Sequence, residues 1–289
     1  MKIRKAVIPA AGLGTRVLPA SKAIPKEMIP IVDCPAIQYI VEEAAKSDIK
    51  EILIITSRGK AAIEDHFDRS PELENVLLSK GREDICNQML NISNFANISY
   101  IRQKEANGLG DAILCAKSFV GDEPFAVLYG DDVIRSKYPV CKQLCDAYEE
   151  FGLGVVGIKQ VTKEAIQKYS SMKVDLIKDN LFKITDMIEK PKIDEIMSLY
   201  AILGRCVLPP EIFSILEKTE LGAGGELQLT DAMKKLAQTE GIIGVDFIGK
   251  RYDMGNKLGI MKANIETALD HEEIGTDFRQ YLKDISTKL

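Results

Sequence analysis

The sequence predicts an α/β fold with a Rossmann-like, mixed, mostly parallel central sheet flanked by helices. Three observations predict it. Short apolar runs alternate with amphipathic stretches through the first half, as buried parallel strands and their crossover helices do. The first run leads straight into a glycine-rich loop, at the strand end where open α/β sheets bind ligands. The chain has 289 residues, 46% of them hydrophobic, enough to bury one large core.

The first strand is expected at 6–9. A helix follows at 36–47, where Ile37, Ile40, Val41 and Ala44 recur at helical spacing and define one apolar face. Strands are expected at 51–56, 98–102 and 125–129, with helices at 60–67, 83–91 and 109–118 between them. The second half reads as strands at 154–160, 173–178, 181–188 and 200–208, with Asp179-Asn180 as a hairpin turn. Helices at 210–217 and 226–239, a strand at 243–248, and helices at 256–269 and 271–284 close the chain. No repeat, low-complexity segment or linker interrupts it, so one domain is expected over 1–289.

The totals exclude several classes. A net charge of −5 is unlike a general nucleic-acid binder, whose surface would be basic. There is no apolar run of the roughly 18 residues a membrane span needs, so no span is expected. Lys2, Arg4 and Lys5 precede an apolar stretch, but Pro9, Gly12, Gly14 and Arg16 break it too early for a signal peptide. The expected compartment is the cytoplasm. The six cysteines (34, 86, 115, 141, 145, 206) form no C-x-x-C pair and read as free thiols, with Cys141 and Cys145 one turn apart on a helix. The only histidines, His66 and His271, have no nucleophile-elbow partner, which argues against chemistry built on a histidine base.

The loop after the first strand, VIPAAGLGTRVLPASKAIPKEMIPI over 7–31, has the chemistry of an anion site. Gly12 and Gly14 let backbone N–H groups close around a phosphate. Arg16 adds a planar multi-donor charge and Lys26 a point charge. Prolines 9, 19, 25, 30 and 35 stiffen the segment. It is not a Walker A motif, because no Gly-Lys-Ser/Thr follows, and Val17 stands where a dinucleotide fingerprint needs a third small residue.

Gly12-Leu13-Gly14-Thr15-Arg16 and Pro25-Lys26-Glu27-Met28 resemble the sugar-phosphate nucleotidylyltransferase superfamily, and AIPKEMIPIVD (23–33) resembles its bacterial uridylyltransferase branch. The similarity continues in order through IEDHFDRSPELE (63–74), YIRQKEANGLGDAILCAK (100–117), EPFAVLYGDD (123–132), EKP (189–191), GAGGELQLTDA (222–232) and KRYDMGNKLGIMKA (250–263). It implies the nucleotide-diphospho-sugar transferase fold. It also implies transfer of UMP from UTP to glucose 1-phosphate with Mg²⁺, in a homodimer or homotetramer. Such a transfer needs alignment and charge neutralisation rather than a general base, because the attacking sugar phosphate is already ionised.

The resemblance also implies roles. Ala10, Ala11, Gly12, Gly14 and Thr15 would hold the nucleotide, with Gln103 and Gly108 reading the base. Arg16, Lys26 and Lys190 would neutralise phosphates, and Ser170, Glu189, Ile202 and Gly204 would meet the sugar. Asp131 and Asp253 would hold the metal; alternation along an extended segment turns Asp132 away, to a turn or cap. The helix start GELQLTD (225–231) would support the sugar side or be purely structural. The nucleotide part would lie at about 1–135, the sugar part at 136–255 and closing helices at 256–289.

Three positions depart from the family pattern. Ser170 stands where glycine is usual, Leu199 where asparagine is, and Met254 where cysteine is frequent. The first two cluster on the sugar side. They leave open dTTP or another hexose 1-phosphate as substrate, and a weakly active or non-catalytic regulatory paralogue. The contacts of Gln103 and Gly108 do not by themselves separate uracil from thymine, which present the same edge apart from a methyl group.

Overall fold

The computed structural model describes residues 1–288. Its strands are β1 (Lys5–Pro9), β2 (Pro30–Ile31), β3 (Cys34–Pro35), β4 (Glu51–Thr56), β5 (Asn97–Arg102), β6 (Phe125–Leu128), β7 (Asp132–Arg135), β8 (Gly154–Gln160), β9 (Ser170–Lys178), β10 (Leu181–Glu189), β11 (Tyr200–Leu208), β12 (Ile242–Asp246) and β13 (Lys250–Asp253). Nine of them form one sheet in the order β5-β4-β1-β6-β11-β8-β12-β10-β9. The pairings orient β5, β4, β1, β6, β8, β12 and β9 one way and only β11 and β10 the other. The expected mostly parallel α/β sheet is therefore present.

Alternation along the strands builds two cores. Ile52 and Ile54 of β4 pack on one face, with Ile37, Ile40 and Val41 of helix Ala36–Lys46 and Leu144 of helix Val140–Phe151. Leu53 and Ile55 pack on the other, with Ile113, Phe213 and Leu236 of helices Leu109–Leu114, Glu211–Leu216 and Leu229–Thr239. The helix expected beneath Cys141 and Cys145 is Val140–Phe151. All six cysteines are free, and four of them (Cys86, Cys141, Cys145, Cys206) are buried. Among the described residues no helix is long and apolar enough to cross a membrane.

Several elements differ from expectation. Helix Pro71–Ser79 went unread, although Pro71 in the first turn and the acidic Glu72 and Glu74 mark a helix start. The helix expected at 109–118 divides into Leu109–Leu114 and Lys117–Val120, and β9 begins at Ser170, ahead of the expected 173. Most consequential are β7 and β13, which pair antiparallel as a small separate sheet. Each is four residues long and rich in charge, so neither carries a local strand signal. Their pairing is tertiary.

Candidate active site

The loop from Ala10 to Arg16 leaves the carboxyl end of β1, whose register continues as Ala10 donates its N–H to the Ile55 carbonyl at 2.8 Å. Among the described residues, no protein acceptor takes the N–H groups of Ala11, Gly12, Leu13, Gly14, Thr15 or Arg16. Gly14 turns the chain at φ 68°, where a Cβ would come within 3.1 Å of the Ser21 Cβ and 3.2 Å of the Lys26 Cβ. Lys26 crosses over this loop, its Nζ 3.7 Å from where a Gly12 Cβ would lie.

Lys26 Nζ ends on Asp131 Oδ2 at 2.6 Å, and the Arg16 guanidinium stands 3.8 Å from the same oxygen. Burial opposes ionisation of Asp131, yet the adjacent Lys26 ammonium holds its carboxyl below the usual range. Burial likewise works against the Lys26 charge, and Asp131 overrides it, raising that pKa. Asp131 thus faces the loop.

Asp132 faces away and closes a turn, as expected, donating its N–H to the Tyr129 carbonyl at 3.1 Å, but its side chain does more than cap. Its Oδ1 accepts from Arg251 Nε at 2.8 Å and lies 2.6 Å from the second guanidinium nitrogen. Burial pushes its pKa up to about 6 despite that partner. Room for the Asp132 carboxylate comes from Gly204. At φ 74° that residue tolerates a left-handed turn, and a Cβ on it would lie 2.5 Å from Asp132 Oδ2.

The β7–β13 ladder brings the second carboxylate in. Asp253 pairs with Asp132 across it, and Met254 donates its N–H to the Asp131 carbonyl at 2.8 Å. Asp253 Oδ1 and Asp131 Oδ2 lie 2.8 and 2.9 Å from the point a Gly255 Cβ would fill, and Arg16 reaches within 2.5 Å of it. Tyr169, the residue before Ser170, donates its hydroxyl to Asp253 Oδ2 at 3.4 Å and stacks against Arg251. Two hard carboxylates from distant segments, open toward a loop of unpartnered N–H groups, fit a Mg²⁺ that takes its other ligands from substrate and water. Among the described residues no group of three or more His, Cys, Asp and Glu side chains could hold a metal.

A cavity of about 480 Å³ opens between the loop, Lys26, Asp131, Gln103 and Gly108. Gln103 is buried, and its amide nitrogen donates to Asp111 Oδ2 at 2.7 Å and the Gly108 carbonyl at 3.2 Å. Its donors are therefore committed, and only its carbonyl remains free to accept a hydrogen bond. Leu227 locks this wall, accepting from Gly110 N–H and donating to the Asn107 carbonyl, each at 2.8 Å. The GELQLTD helix start thus borders the nucleotide side as well. Tyr129 and Glu226 line the same cavity and were not singled out from sequence.

On the far side, Ser170 pairs with Glu189 across β9 and β10. Ser170 is 2% exposed and its Oγ accepts the Ile202 N–H at 3.2 Å, so the extra hydroxyl is spent inside the fold. Thr230, of the GELQLTD segment, donates its hydroxyl to Glu189 Oε2 at 2.8 Å. Lys190 follows β10 with φ 47° and an exposed side chain. Leu199 packs against the core. Sequence reasoning missed the partners that hold this arrangement: Arg251, Tyr169, and the buried Arg205–Glu43 pair described below. For Arg205 the signal was an arginine within the apolar run of β11.

The family model described as nucleotidyl transferase matches residues 5–269. The chain is 52% identical over 284 residues to the Bacillus subtilis UTP–glucose-1-phosphate uridylyltransferase YngB, covering 98% of this chain and 96% of that protein. A second B. subtilis UTP–glucose-1-phosphate uridylyltransferase is 47% identical, with 99% and 98% covered. Among solved structures, UDP-glucose pyrophosphorylase complexed with UDP-glucose superposes with a TM-score of 0.85 at 40% identity, covering 93% of this chain and 100% of that one. The UTP-bound enzyme of Acinetobacter baumannii superposes at 0.89 and 36% identity, covering 97% and 98%.

Proposed function

This chain belongs to the nucleotidyl transferase family, and from that premise we propose that it transfers UMP from UTP to glucose 1-phosphate, giving UDP-glucose and pyrophosphate. The observation that carries the site assignment is the convergence of Arg16, Lys26, Asp131 and Asp253 beside a loop whose N–H groups lack protein acceptors.

The loop N–H groups from Ala11 to Thr15 take phosphate oxygens, and Arg16 and Lys26 neutralise the departing pyrophosphate. The Gln103 carbonyl accepts from the base, and the Gly108 backbone borders it. Asp131 and Asp253 would hold Mg²⁺, which supplies charge neutralisation at the phosphates. Glu189 accepts from sugar hydroxyls and Lys190 meets the sugar's phosphate, with Ser170, Ile202 and Gly204 shaping that side through their backbone. No group need abstract a proton, since a phosphate monoester with a second pKa of about 6 attacks already ionised. The site's task is to hold the two substrates in line and to balance charge. Residues 1–135 form the nucleotide part, 136–255 the sugar part and 256–289, of which Leu289 lies outside the described residues, the closing helices of one domain.

The same reading sets the enzyme in the cytoplasm, in keeping with six free thiols. It also makes the enzyme a homodimer or homotetramer, for which exposed Leu258 and Met261 on helix Lys257–Leu269 offer a surface. Light scattering tests the assembly.

Pyrophosphate release from purified protein should require UTP, glucose 1-phosphate and Mg²⁺ together, with dTTP and galactose 1-phosphate assayed alongside. Release with a different pair would correct the substrates. Binding of UTP without any release would make the protein a regulatory paralogue. Thr230→Val should lower kcat/KM for glucose 1-phosphate by about tenfold, the expected loss of one hydrogen bond to a carboxylate, and leave kcat/KM for UTP within about twofold. Equal losses for both substrates would show that Thr230 does not act through Glu189.

A further inference from the structure

The anion loop is held from its outer side by residues that no part of the nucleotide reading uses. Lys60, the residue before helix Ala61–Phe67, is 6% exposed, and its ammonium donates to the Ala10 carbonyl. Ser57 donates its hydroxyl to the Ala11 carbonyl at 2.9 Å. Both peptides are trans, the only cis bond described being Leu18-Pro19. In a trans peptide the carbonyl and the following N–H point in opposite directions. Pinning the Ala10 and Ala11 carbonyls outward therefore turns the N–H groups of Ala11 and Gly12 the other way. Ala11 and Gly12 line the cavity beside Lys26 and Asp131, and Ser57 and Lys60 do not.

Lys60 has a second attachment. Its ammonium also donates to Glu27 Oε2 at 2.8 Å, and Glu27 is 1% exposed and adjacent in sequence to Lys26. One buried cation thus joins the backbone that would cradle phosphate to the segment carrying the lysine that would neutralise it. Burial pushes the Lys60 pKa down and the Glu27 pKa up, so the pair exists at a desolvation cost that mere packing would not require.

We propose that Lys60 and Ser57 are positioning residues for the triphosphate: they orient the Ala11 and Gly12 N–H groups toward its oxygens, and Lys60, through Glu27, sets Lys26 beside them. This rests on the nucleotide reading of the site. Its signature is selective, because the anchored donors meet phosphate and not the base or ribose.

The test is calorimetric titration of the full-length protein with UTP and, separately, with uridine. Lys60→Met alone would strand a buried carboxylate, so the charge is removed in the double variant K60M/E27Q, and Ser57→Ala serves as the mild variant. The double variant should bind UTP about thirtyfold more weakly and Ser57→Ala about threefold to tenfold more weakly, with uridine affinity within about twofold in both. Lys60→Arg, which keeps the charge and donors, should recover much of the UTP affinity. Unchanged UTP affinity in Ser57→Ala and the double variant, or UTP and uridine affinities falling together, would overturn the positioning role. A parent protein that binds UTP no better than uridine would instead overturn the reading of the site.

Discussion

Asp131→Asn should lower the rate of UDP-glucose formation by about a thousandfold, the upper end of what one preorganised electrostatic group contributes. The carboxylate receives Lys26 at 2.6 Å, has Arg16 at 3.8 Å and opens toward Asp253. Asparagine keeps the volume and the backbone bond from Met254 but removes the charge that the lysine and a bound cation both need. The loss should fall on kcat, since the carboxylate would hold the cation that neutralises the phosphates during transfer. UTP affinity without metal should hold or rise, because a negative group facing a triphosphate has been removed. Arg16→Ala should cost about a hundredfold in rate with little effect on stability, since its side chain is 65% exposed. Saturating initial rates together with thermal melts check both. A folded Asp131→Asn enzyme with more than a tenth of the parent rate would remove this residue from the reaction.

Arg205→Ala should destabilise the fold by about 3–5 kcal/mol, the cost of leaving one partner of a buried ion pair alone. Arg205 and Glu43 are both buried and meet through two contacts, Nε to Oε1 at 3.0 Å and a second guanidinium nitrogen to Oε2 at 2.6 Å. The same guanidinium donates to the carbonyls of Gly204 at 2.8 Å and Asp132 at 2.9 Å. Glu43 Oε1 also accepts the Cys141 N–H at 2.8 Å, at the start of helix Val140–Phe151. One guanidinium therefore ties helix Ala36–Lys46 to β11 and to the strand that follows Asp131. The melting temperature should fall on the order of 10 °C. The double variant R205M/E43L, which removes both charges and retains apolar volume, should recover most of it. A loss below about 1 kcal/mol in Arg205→Ala would show that the pair contributes only what a solvated bridge does.

Local chemistry made a large part of this molecule readable. The runs that became β1, β4, β6, β8 and β11 are mostly apolar, β4 and β8 being richest in β-branched residues, and the Ile37–Ala44 face carries its period on its surface. The glycine-rich loop was readable for a similar reason, since glycines, prolines and three cations, Arg16, Lys22 and Lys26, lie within one short stretch. β7 and β13 were not readable, because a charged four-residue strand shows its nature only against its partner. Nor were the functions of Ser57 and Lys60, whose meaning lies in the carbonyls they meet. Ser170 looked like an intrusion on a sugar pocket in the sequence. The fold turns its hydroxyl onto the Ile202 N–H instead.

By itself, then, the sequence determined the fold class, the position of the glycine-rich loop after β1 and the kinds of charge brought to it. These follow from periodicity, turn chemistry and motifs that span a few residues. Only the tertiary structure decided which of two adjacent aspartates faces the loop, which segment supplies the second carboxylate and what holds the loop from behind. Those contacts join residues far apart in the chain, Lys26 to Asp131 across 105 positions and Arg205 to Glu43 across 162. Which face a side chain presents at such a meeting depends on strand direction and register, and both are set by the packing of the whole sheet rather than by the residues alongside.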